Sequence, residues 1–203
     1  REDSDVKVAS AWRTILGYIW QLSDGDVQMK DAIHDYAITG LGYLYVYIDN
    51  EADFGKGEVK FTSVNPFRVY VPPSSRDRFF QDADAIILST ILTGDQIVNL
   101  YPFLGPSIDE ETGELVPGLI QDIFLEENPG VFERGLMMFE EVMQTRIGVV
   151  ATVGEVLLYE TVLNTDVYPI VPLPNVWSGT PYPKSDVSRI RPMQRLLNKL
   201  FSL

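Results

Sequence analysis

The change of hydrophobic period at Gly40-Leu41-Gly42 constrains the fold of this chain more than any other feature of its sequence. Upstream of the two glycines, apolar residues recur at helical spacing in two stretches separated by residues 23–26. Downstream, five of the six residues 43–48 are aromatic or β-branched, which is typical of a strand. We therefore predict an α+β fold with an N-terminal helical hairpin, mixed or antiparallel strands, a small β-rich region and the start of a long helix.

The first helical stripe predicts a helix that ends at the polar joint 23–26. Its apolar residues are Val6, Val8, Ala9, Trp12, Ile15, Leu16, Ile19 and Trp20. Gly25 suits a left-handed helix end, and Asp26 suits the N-cap of the second helix. The inner face of that second helix is formed by Met29, Ala32, Ile33, Tyr36 and Ala37.

Further along, period and proline placement predict short strands and a second helical region. The predicted strands cover residues 58–64, 67–71, 83–92, 137–144, 144–151 and 156–162. A short helix is predicted from Thr93 to Tyr101, and residues 105–130 are predicted to form a loop-rich acidic linker. Prolines make residues 168–174 extended, and residues 186–203 become helical again.

Composition excludes several classes of protein. The chain has 203 residues, no cysteine and a single histidine, His34, so disulfide scaffolds, thiolate zinc sites, cysteine nucleophiles and two-histidine metal sites are excluded. Sixteen basic residues stand against 29 acidic ones, a net charge of -13 that argues against non-specific adhesion to DNA or anionic membranes. No apolar run approaches the roughly 20 residues of a membrane span, and the N-terminus does not have the pattern of a signal peptide.

Charge is distributed unevenly. Residues 79–133 contain eleven acids and no basic residue, which favours a solvated acidic face or, alternatively, a surface that repels a polyanion. Residues 184–203 contain five basic residues and one acid. Because this helical pattern reaches the last residue without a capping signal, we expect the chain to be a fragment, or to stop inside a longer helix.

The candidate ligand-binding segments do not match the sequence patterns of known calcium and dinucleotide loops. Residues 49–60 begin like a calcium loop, but Phe54 replaces the required glycine and Lys60 the required glutamate, which favours a polar hairpin turn. Gly40 and Gly42 lead into a strand, whereas a dinucleotide loop leads into a helix, so we interpret them as conformational. Asp82 and Asp84 could bind a divalent ion but are more simply solvated.

No enzymatic constellation emerges. His34 lies beside Asp31 and Asp35 and could act as a general base, although a surface or interface histidine is the simpler interpretation. The carboxylate pairs 126–127 and 140–141 join adjacent residues, and on a strand such neighbours point to opposite faces. Alternating Tyr43, Tyr45 and Tyr47 could stack on bases, but without interleaved cations they favour a packed sheet surface. We therefore predict no enzyme, no metal and no cofactor.

The order of these segments resembles the portal protein of tailed bacteriophages, of the short-tailed phage type. Four passages carry the resemblance, and the positions that match are Gly40 and Gly42 after a helix, Pro66 between two strands, residues 82–88 followed by 92–102, and Pro169 and Pro172 followed by Gln194 and Asn198 in a helix. Pro72-Pro73 stands where the family usually has Asp-Pro. The matching passages cover residues 5–102 and 131–203.

The resemblance implies a structural, non-enzymatic subunit of a ring, typically a dodecamer of about twelve copies, at one capsid vertex of the virion. Such a head–tail connector is the channel for packaging and ejection of double-stranded DNA, which passes without sequence specificity. Its implied partners are further copies of itself, the terminase large subunit, capsid and scaffolding proteins and a tail adaptor, with no membrane and with assembly in the host cytoplasm. In the family's terms, residues 1–130 are wing-like, 131–186 clip-like and 187–203 the beginning of a stem helix.

Basic residues of the last segment are the candidates to face DNA in such a channel. They are Lys184, Arg189, Arg191, Arg195 and Lys199. The alternative for these residues is pairing with acids of a neighbouring subunit. Two alternative functions also stay open: another viral structural or adaptor protein, and a metal-dependent hydrolase built on an acidic cluster such as Asp82, Asp84 and Asp95.

Overall fold

The computed structural model describes residues 2–50, 52–108, 115–116, 118, 131–141 and 146–202. The chain forms two compact units, one of residues 1–83 with 167–203 and one of residues 84–166. The elements in chain order are α1 (Glu2–Leu22), α2 (Gly25–Thr39), β1 (Leu41–Asp49), β2 (Glu58–Val64), β3 (Val69–Tyr70), β4 (Ala85–Thr93), α3 (Gly94–Leu100), β5 (Ser107–Ile108), β6 (Leu115–Val116), β7 (Val131–Glu141), β8 (Arg146–Val153), β9 (Val156–Leu163), β10 (Ile170–Pro174) and α4 (Asp186–Phe201).

The predicted α+β class is confirmed, with helices at both ends and antiparallel sheets between them. The predicted division into residues 1–130, 131–186 and 187–203 concerns the family's named regions and stays a prediction. Within the described ranges, no helix combines the length and the apolar character that crossing a bilayer requires.

The joint between α1 and α2 differs in detail from the sequence prediction. The left-handed residue is Asp24 (φ 50°, ψ 48°), which is also the N-cap of α2, so the assignments of Gly25 and Asp26 to these roles were wrong. Gly25 is needed for space, because a Cβ there would lie 2.3 Å from the indole of Trp20. Trp20 in turn packs on Phe61 of β2, with ring centroids 5.6 Å apart.

The passage from α2 into β1 depends on the two glycines, as predicted. Gly40 ends α2 with φ 92°, and its N–H donates to the carbonyl of Tyr36 at 3.0 Å. Gly42 lies against the backbone of α2: a Cβ there would be 2.2 Å from the carbonyl oxygen of Ala32. Because neither contact tolerates a side chain, the glycines allow the strand to begin directly beneath the helix.

The first sheet has the strand order β10-β1-β2, and β1 pairs antiparallel with both neighbours. The proline-rich segment 168–174, predicted only to be extended, supplies the edge strand β10, in which Pro172 lies opposite Tyr43. Proline lacks a backbone donor and is tolerated in an edge strand whose donor side needs no partner. Tyr168 fixes the approach to β10 by donating its hydroxyl to the carbonyl of Ala83 at 2.8 Å.

The turn between β1 and β2 has an unusual backbone. Asp53 (φ 47°) and Phe54 (φ 59°) are left-handed, and Gly55 follows with φ 85°. Two lysines hold the acids of this turn: Lys56 is 3.1 Å from Asp53, and Lys60 is 2.7 Å from Asp49.

Within the second unit, β4, β7, β8 and β9 are hydrogen-bonded in that order, each antiparallel to the next. Alternate residues form one buried face, on which Leu136 pairs with Leu88 on one side and with Ala151 on the other. A capping box at Thr93 and Gln96 begins α3, which buries Ile97.

The loop that closes the first unit before residue 84 is organised by one carboxylate. Asp82 accepts hydrogen bonds from the Ser75 hydroxyl at 2.6 Å and from the backbone N–H groups of Arg76 at 2.6 Å and Asp77 at 3.0 Å. The Ser75 hydrogen bond, followed by the backbone donors, lowers the pKa of Asp82 below its ordinary value. This aspartate therefore serves the loop as a local cap.

We predict that Gly42→Ala lowers the free energy of unfolding by about 1–3 kcal/mol, because the methyl group must displace either β1 or the backbone of α2. Urea unfolding followed by circular dichroism measures the change. Gly17→Ala is the matched control, since a Cβ at that position of α1 meets nothing within 4 Å and a helical alanine gains up to about 1 kcal/mol over glycine. Equal stability of the two variants would contradict the close contact.

We also predict that the stability contributed by Asp82 depends on pH. A lowered folded-state pKa means that the contribution is present above the ordinary carboxyl pKa near 4 and is lost as the pH falls through the folded-state value. The unfolding midpoint of Asp82→Asn should therefore lie below that of the natural chain at pH 7 and converge with it toward pH 3. Asp31→Asn, an exposed position on α2, should show no such pattern, and a constant gap for Asp82→Asn would refute the assignment.

Candidate functional site

The start of α4 is fixed to the junction between α2 and β1. Ser185 is buried, and its hydroxyl caps the helix by accepting from the N–H of Ser188 at 3.0 Å. Gly40 lies directly against this segment, since a Cβ there would be 2.7 Å from the carbonyl of Pro183 and 2.8 Å from the nitrogen of Ser185. The helix is thereby attached to the first unit at its N-terminal end.

Beyond its N-cap, α4 is open to solvent. Every residue from 186 to 202 is exposed, including large apolar side chains such as Met193 (70%) and Leu196 (60%). At 100° per residue these apolar side chains lie on one side of the helix. They are Val187, Ile190, Met193, Leu196, Leu197, Leu200 and Phe201. Each of these side chains is at least 46% exposed, so the described residues leave most of this apolar face uncovered.

The opposite side of α4 carries a row of cations. Arg191, Arg195 and Lys199 are spaced by four residues and therefore stand one above the other. In the part of the chain that the structure describes, no ion pair involves any of the three. The helix therefore presents an apolar face and, roughly opposite to it, a basic face of residues 191, 195 and 199.

The structure thus separates the five cations predicted from sequence. At 100° per residue Arg189 falls between Leu196 and Leu200 on the apolar side, and Lys184 is exposed but precedes the helix. The two family-motif residues of α4 lie between the faces and bind each other, because Gln194 donates its amide N–H to Asn198 at 3.0 Å. The prediction that all five cations face DNA stays a prediction, and only three of them share one face.

The remaining motif positions shape the backbone of the first unit. Pro66 begins a 3-10 turn whose capping residue, Asn65, accepts from the N–H of Phe67 at 2.9 Å. The carbonyl of Pro169 accepts from the N–H of Val46 at 2.8 Å, so it continues the pairing of β1 with the chain before β10. Among the motif positions, Gly40 contacts the segment 183–185 that leads into α4.

The histidine and several of the acidic residues that were candidates for catalysis or metal binding make contacts with residues close to them in sequence. His34 is exposed, with its Nδ1 3.8 Å from a carboxylate oxygen of Asp35. Asp49 and Asp53 of the calcium-like turn are held by lysines, and Asp82 by the hydroxyl and amide donors of its loop. Among the described residues there is no group of three acidic, histidine or cysteine side chains placed to hold a metal ion. The pairs 126–127 and 140–141 lie outside the residues whose side chains are described.

The alternating tyrosines of β1 divide between core and surface. Tyr45 and Tyr47 stack with centroids 5.8 Å apart and planes 12° apart, both half-buried. Tyr43 is buried, packs near Phe80 at 6.2 Å and belongs to the core. Their common strand face was predicted from the alternation, but the burial of Tyr43 was not.

Sequence reasoning missed a cavity of about 240 Å³ at the start of β1. Its lining is mainly apolar and aromatic and includes Leu41, Tyr43, Phe67, Val69, Tyr70 and Tyr182. Tyr182 is fixed by its hydroxyl, which donates to the carbonyl of Val71 at 2.8 Å. The buried hydroxyl of Tyr43 has no hydrogen-bond partner among the described residues, and its burial raises the pKa of Tyr43 well above the usual value.

No signal in the sequence identifies this cavity, because its lining comes from three separate segments, residues 39–43, 66–70 and 182–183. Phe54 was visible only as the residue that breaks the calcium pattern. The structure shows it to be fully exposed at the β1–β2 turn.

Comparison with known proteins agrees with the resemblance seen in the sequence. Residues 1–117, more than half of the 203, match the family described as phage P22-like portal protein. No individual curated protein matches the chain. The family match covers α1 to β6 and leaves β7 to β10 and α4 outside it. The predicted relationship is confirmed, and this chain belongs to the phage P22-like portal protein family.

Proposed function

We propose that this chain is one subunit of a ring-shaped portal at a unique capsid vertex, through which double-stranded DNA is packaged and later ejected. The observation that carries the proposal is the family match over residues 1–117. Portal proteins are structural components of the phage particle, which fits a chain whose sequence contains no recognisable reactive constellation. The proposed partners are about eleven further copies, the terminase large subunit, capsid and scaffolding proteins and a tail adaptor, with assembly in the host cytoplasm.

The two faces of α4 support this assignment. An apolar face of seven large residues is unfavourable in water at roughly 25 cal/mol per Å² of exposed apolar surface, so the helix needs a neighbour to cover it. In a ring, the adjacent copies are available to every subunit. Once the apolar face is covered, the basic face on the other side remains outward, where it can meet a phosphate backbone.

The charge balance suits a channel that must not hold its cargo. Each phosphate contact adds affinity and would slow sliding, whereas three cations per subunit on an otherwise acidic chain give weak contacts that salt screens readily. A net charge of -13 repels the polyanion elsewhere. DNA would thus be kept in the channel without being bound tightly to any one subunit.

A viral adaptor of similar composition is the main alternative. Such a protein would share the α+β plan but would lack the passage from a proline-rich segment into a helix that this chain has over residues 168–203. The chain has this passage, as β10, an irregular segment with Pro181 and Pro183, and then α4. This favours the portal over the adaptor.

The hydrolase alternative would need Asp82 as a metal ligand. The Ser75 hydroxyl and the backbone N–H of Arg76 already donate hydrogen bonds to this carboxylate, which favours a structural role for it.

We predict that the full-length protein assembles into closed rings of about twelve subunits. Electron microscopy of the purified protein gives the number of copies around the axis, and native mass spectrometry gives the mass. A ring needs two different, complementary surfaces on each subunit, and the exposed apolar face of α4 is available as one of them. A monodisperse monomer at high protein concentration would contradict the proposal.

We predict that the triple variant Arg191→Gln, Arg195→Gln, Lys199→Gln still assembles but binds double-stranded DNA more weakly. The plot of log affinity against log salt should become shallower, its slope falling by roughly one for each phosphate that a site no longer neutralises. Filter binding over a salt series, with rings counted by electron microscopy, measures both quantities. The matched control is Lys7→Gln, Arg13→Gln, Lys30→Gln, which removes three equally exposed cations from α1 and α2.

The alternative interpretation, in which the basic face contacts a neighbouring subunit and not DNA, predicts that the triple variant loses assembly. If these cations pair with acids of the neighbouring subunit, the triple variant fails to assemble while the control assembles normally. Unchanged DNA affinity in assembled rings would refute contact between the basic face and DNA.

A further inference from the structure

The β1–β2 turn presents a phenylalanine to solvent in a conformation that large side chains rarely adopt. Phe54 has φ 59° and is 102% exposed, so no part of its ring is covered by the described residues. A positive φ at a bulky residue is an outlier, and such outliers persist where a function depends on them. Its neighbours Asp53 and Gly55 are also left-handed, so three successive residues turn the chain to display this one ring.

The cavity at the other end of β1 has the size and chemistry to receive such a ring. A dry apolar cavity of about 150 Å³ is enough to hold benzene, and this cavity measures about 240 Å³. Phe67 and Tyr70 stand at its margin and are exposed, whereas Tyr43 and Val69 are buried. An inserted segment also brings backbone carbonyls, which are acceptors of the kind that the buried Tyr43 hydroxyl lacks.

Phe54 cannot reach this cavity within its own chain. The cavity includes Leu41 and Tyr43 at the start of β1, and the turn begins after Asp49 at the end of the same strand. Six residues of extended chain separate Tyr43 from Asp49, which is about 20 Å at 3.3 Å per residue. A projection and a cavity at opposite ends of one strand form a head-to-tail pair, which is the arrangement that closes a ring.

Charge favours the same pairing. The turn segment 49–58 contains four acids and one lysine, whereas the segments 65–72 and 180–185, which carry most of the cavity margin, contain Arg68 and Lys184 and no acid. Lys184 is exposed directly beside the lining residue Pro183. Opposite charge on two docking surfaces steers their approach and disfavours the reverse orientation.

We propose that Phe54 of one copy inserts into the cavity of the adjacent copy, between Phe67, Tyr70 and Tyr182. The partner is a second copy of this chain, and the inference rests on the proposed function for the assembly that brings the copies together. The contact uses Phe54 and a cavity whose lining ends at Pro183, before α4 begins, so the basic face of residues 191, 195 and 199 takes no part in it.

Cross-linking tests this contact without background, because the natural chain has no cysteine. The double variant Phe54→Cys, Phe67→Cys is assembled, treated with a short bis-maleimide and run on a denaturing gel. We expect a ladder of covalently linked copies, because every interface would then join residue 54 of one chain to residue 67 of the next. The matched control is Phe103→Cys, Phe67→Cys, which moves one cysteine to another exposed phenylalanine (56%) and should give no ladder.

The outcomes separate this inference from the proposed function. Rings that form normally but give no ladder, or give the same ladder in the control, overturn the insertion of Phe54 and leave the portal assignment intact. Failure of the natural chain to assemble at all would contradict both the insertion of Phe54 and the proposed portal function. As a second readout, Phe54→Ala should raise the concentration needed for half-assembly by roughly tenfold, as expected for a buried aromatic anchor, whereas Phe103→Ala, at another exposed phenylalanine (56%), should leave that concentration unchanged. An unchanged threshold in Phe54→Ala would also overturn the inference.

Discussion

The close approach of backbones at Gly40 and Gly42 is the constraint on which the first unit depends. Gly42 lies against the carbonyl of Ala32, and Gly40 lies against the segment that leads from Pro183 to Ser185. The carbonyl of Gly40 also accepts from the N–H of Asn175, just after β10. Four parts of the chain that are distant in sequence therefore meet at two residues without side chains: α2, β1, the end of β10 and the start of α4.

This junction explains why α4 can be anchored and exposed at the same time. Its N-terminal cap at Ser185 is buried in the junction, whereas the helix beyond it is solvated on all sides. Pro192 lies inside the helix and cannot donate to the carbonyl of Ser188, which weakens a helix that has no buried residue. An element of this kind gains its stability from a partner rather than from its own propensity.

The sequence predicted those features that depend on local pattern. The period switch at Gly40 placed α2 and β1 correctly, and alternation placed β2, β4 and β9 to within a few residues. It did not reveal that the proline-rich segment is a strand, because Pro172 and Pro174 remove the donors by which a strand is recognised, and only the edge position in the sheet makes them acceptable. The five cations could be counted, but helix phase was needed to separate Arg189 from the row formed by Arg191, Arg195 and Lys199. The cavity and its buried Tyr43 hydroxyl depend on long-range packing, for which a single sequence contains no local signal.

The exposed apolar surface of the first unit is not confined to α4. Trp12, Ile15 and Leu16 of α1 are each about half exposed, on a helix whose residues 5–18 are all solvated. A monomeric protein rarely leaves two amphipathic helices uncovered, because contiguous apolar patches of this kind cause association. In the ring that we propose for this portal-family chain, the association that would be a liability in a monomer becomes the means of assembly. In that proposal the net charge of -13 opposes indiscriminate association, so that copies join where apolar faces and opposite charges coincide.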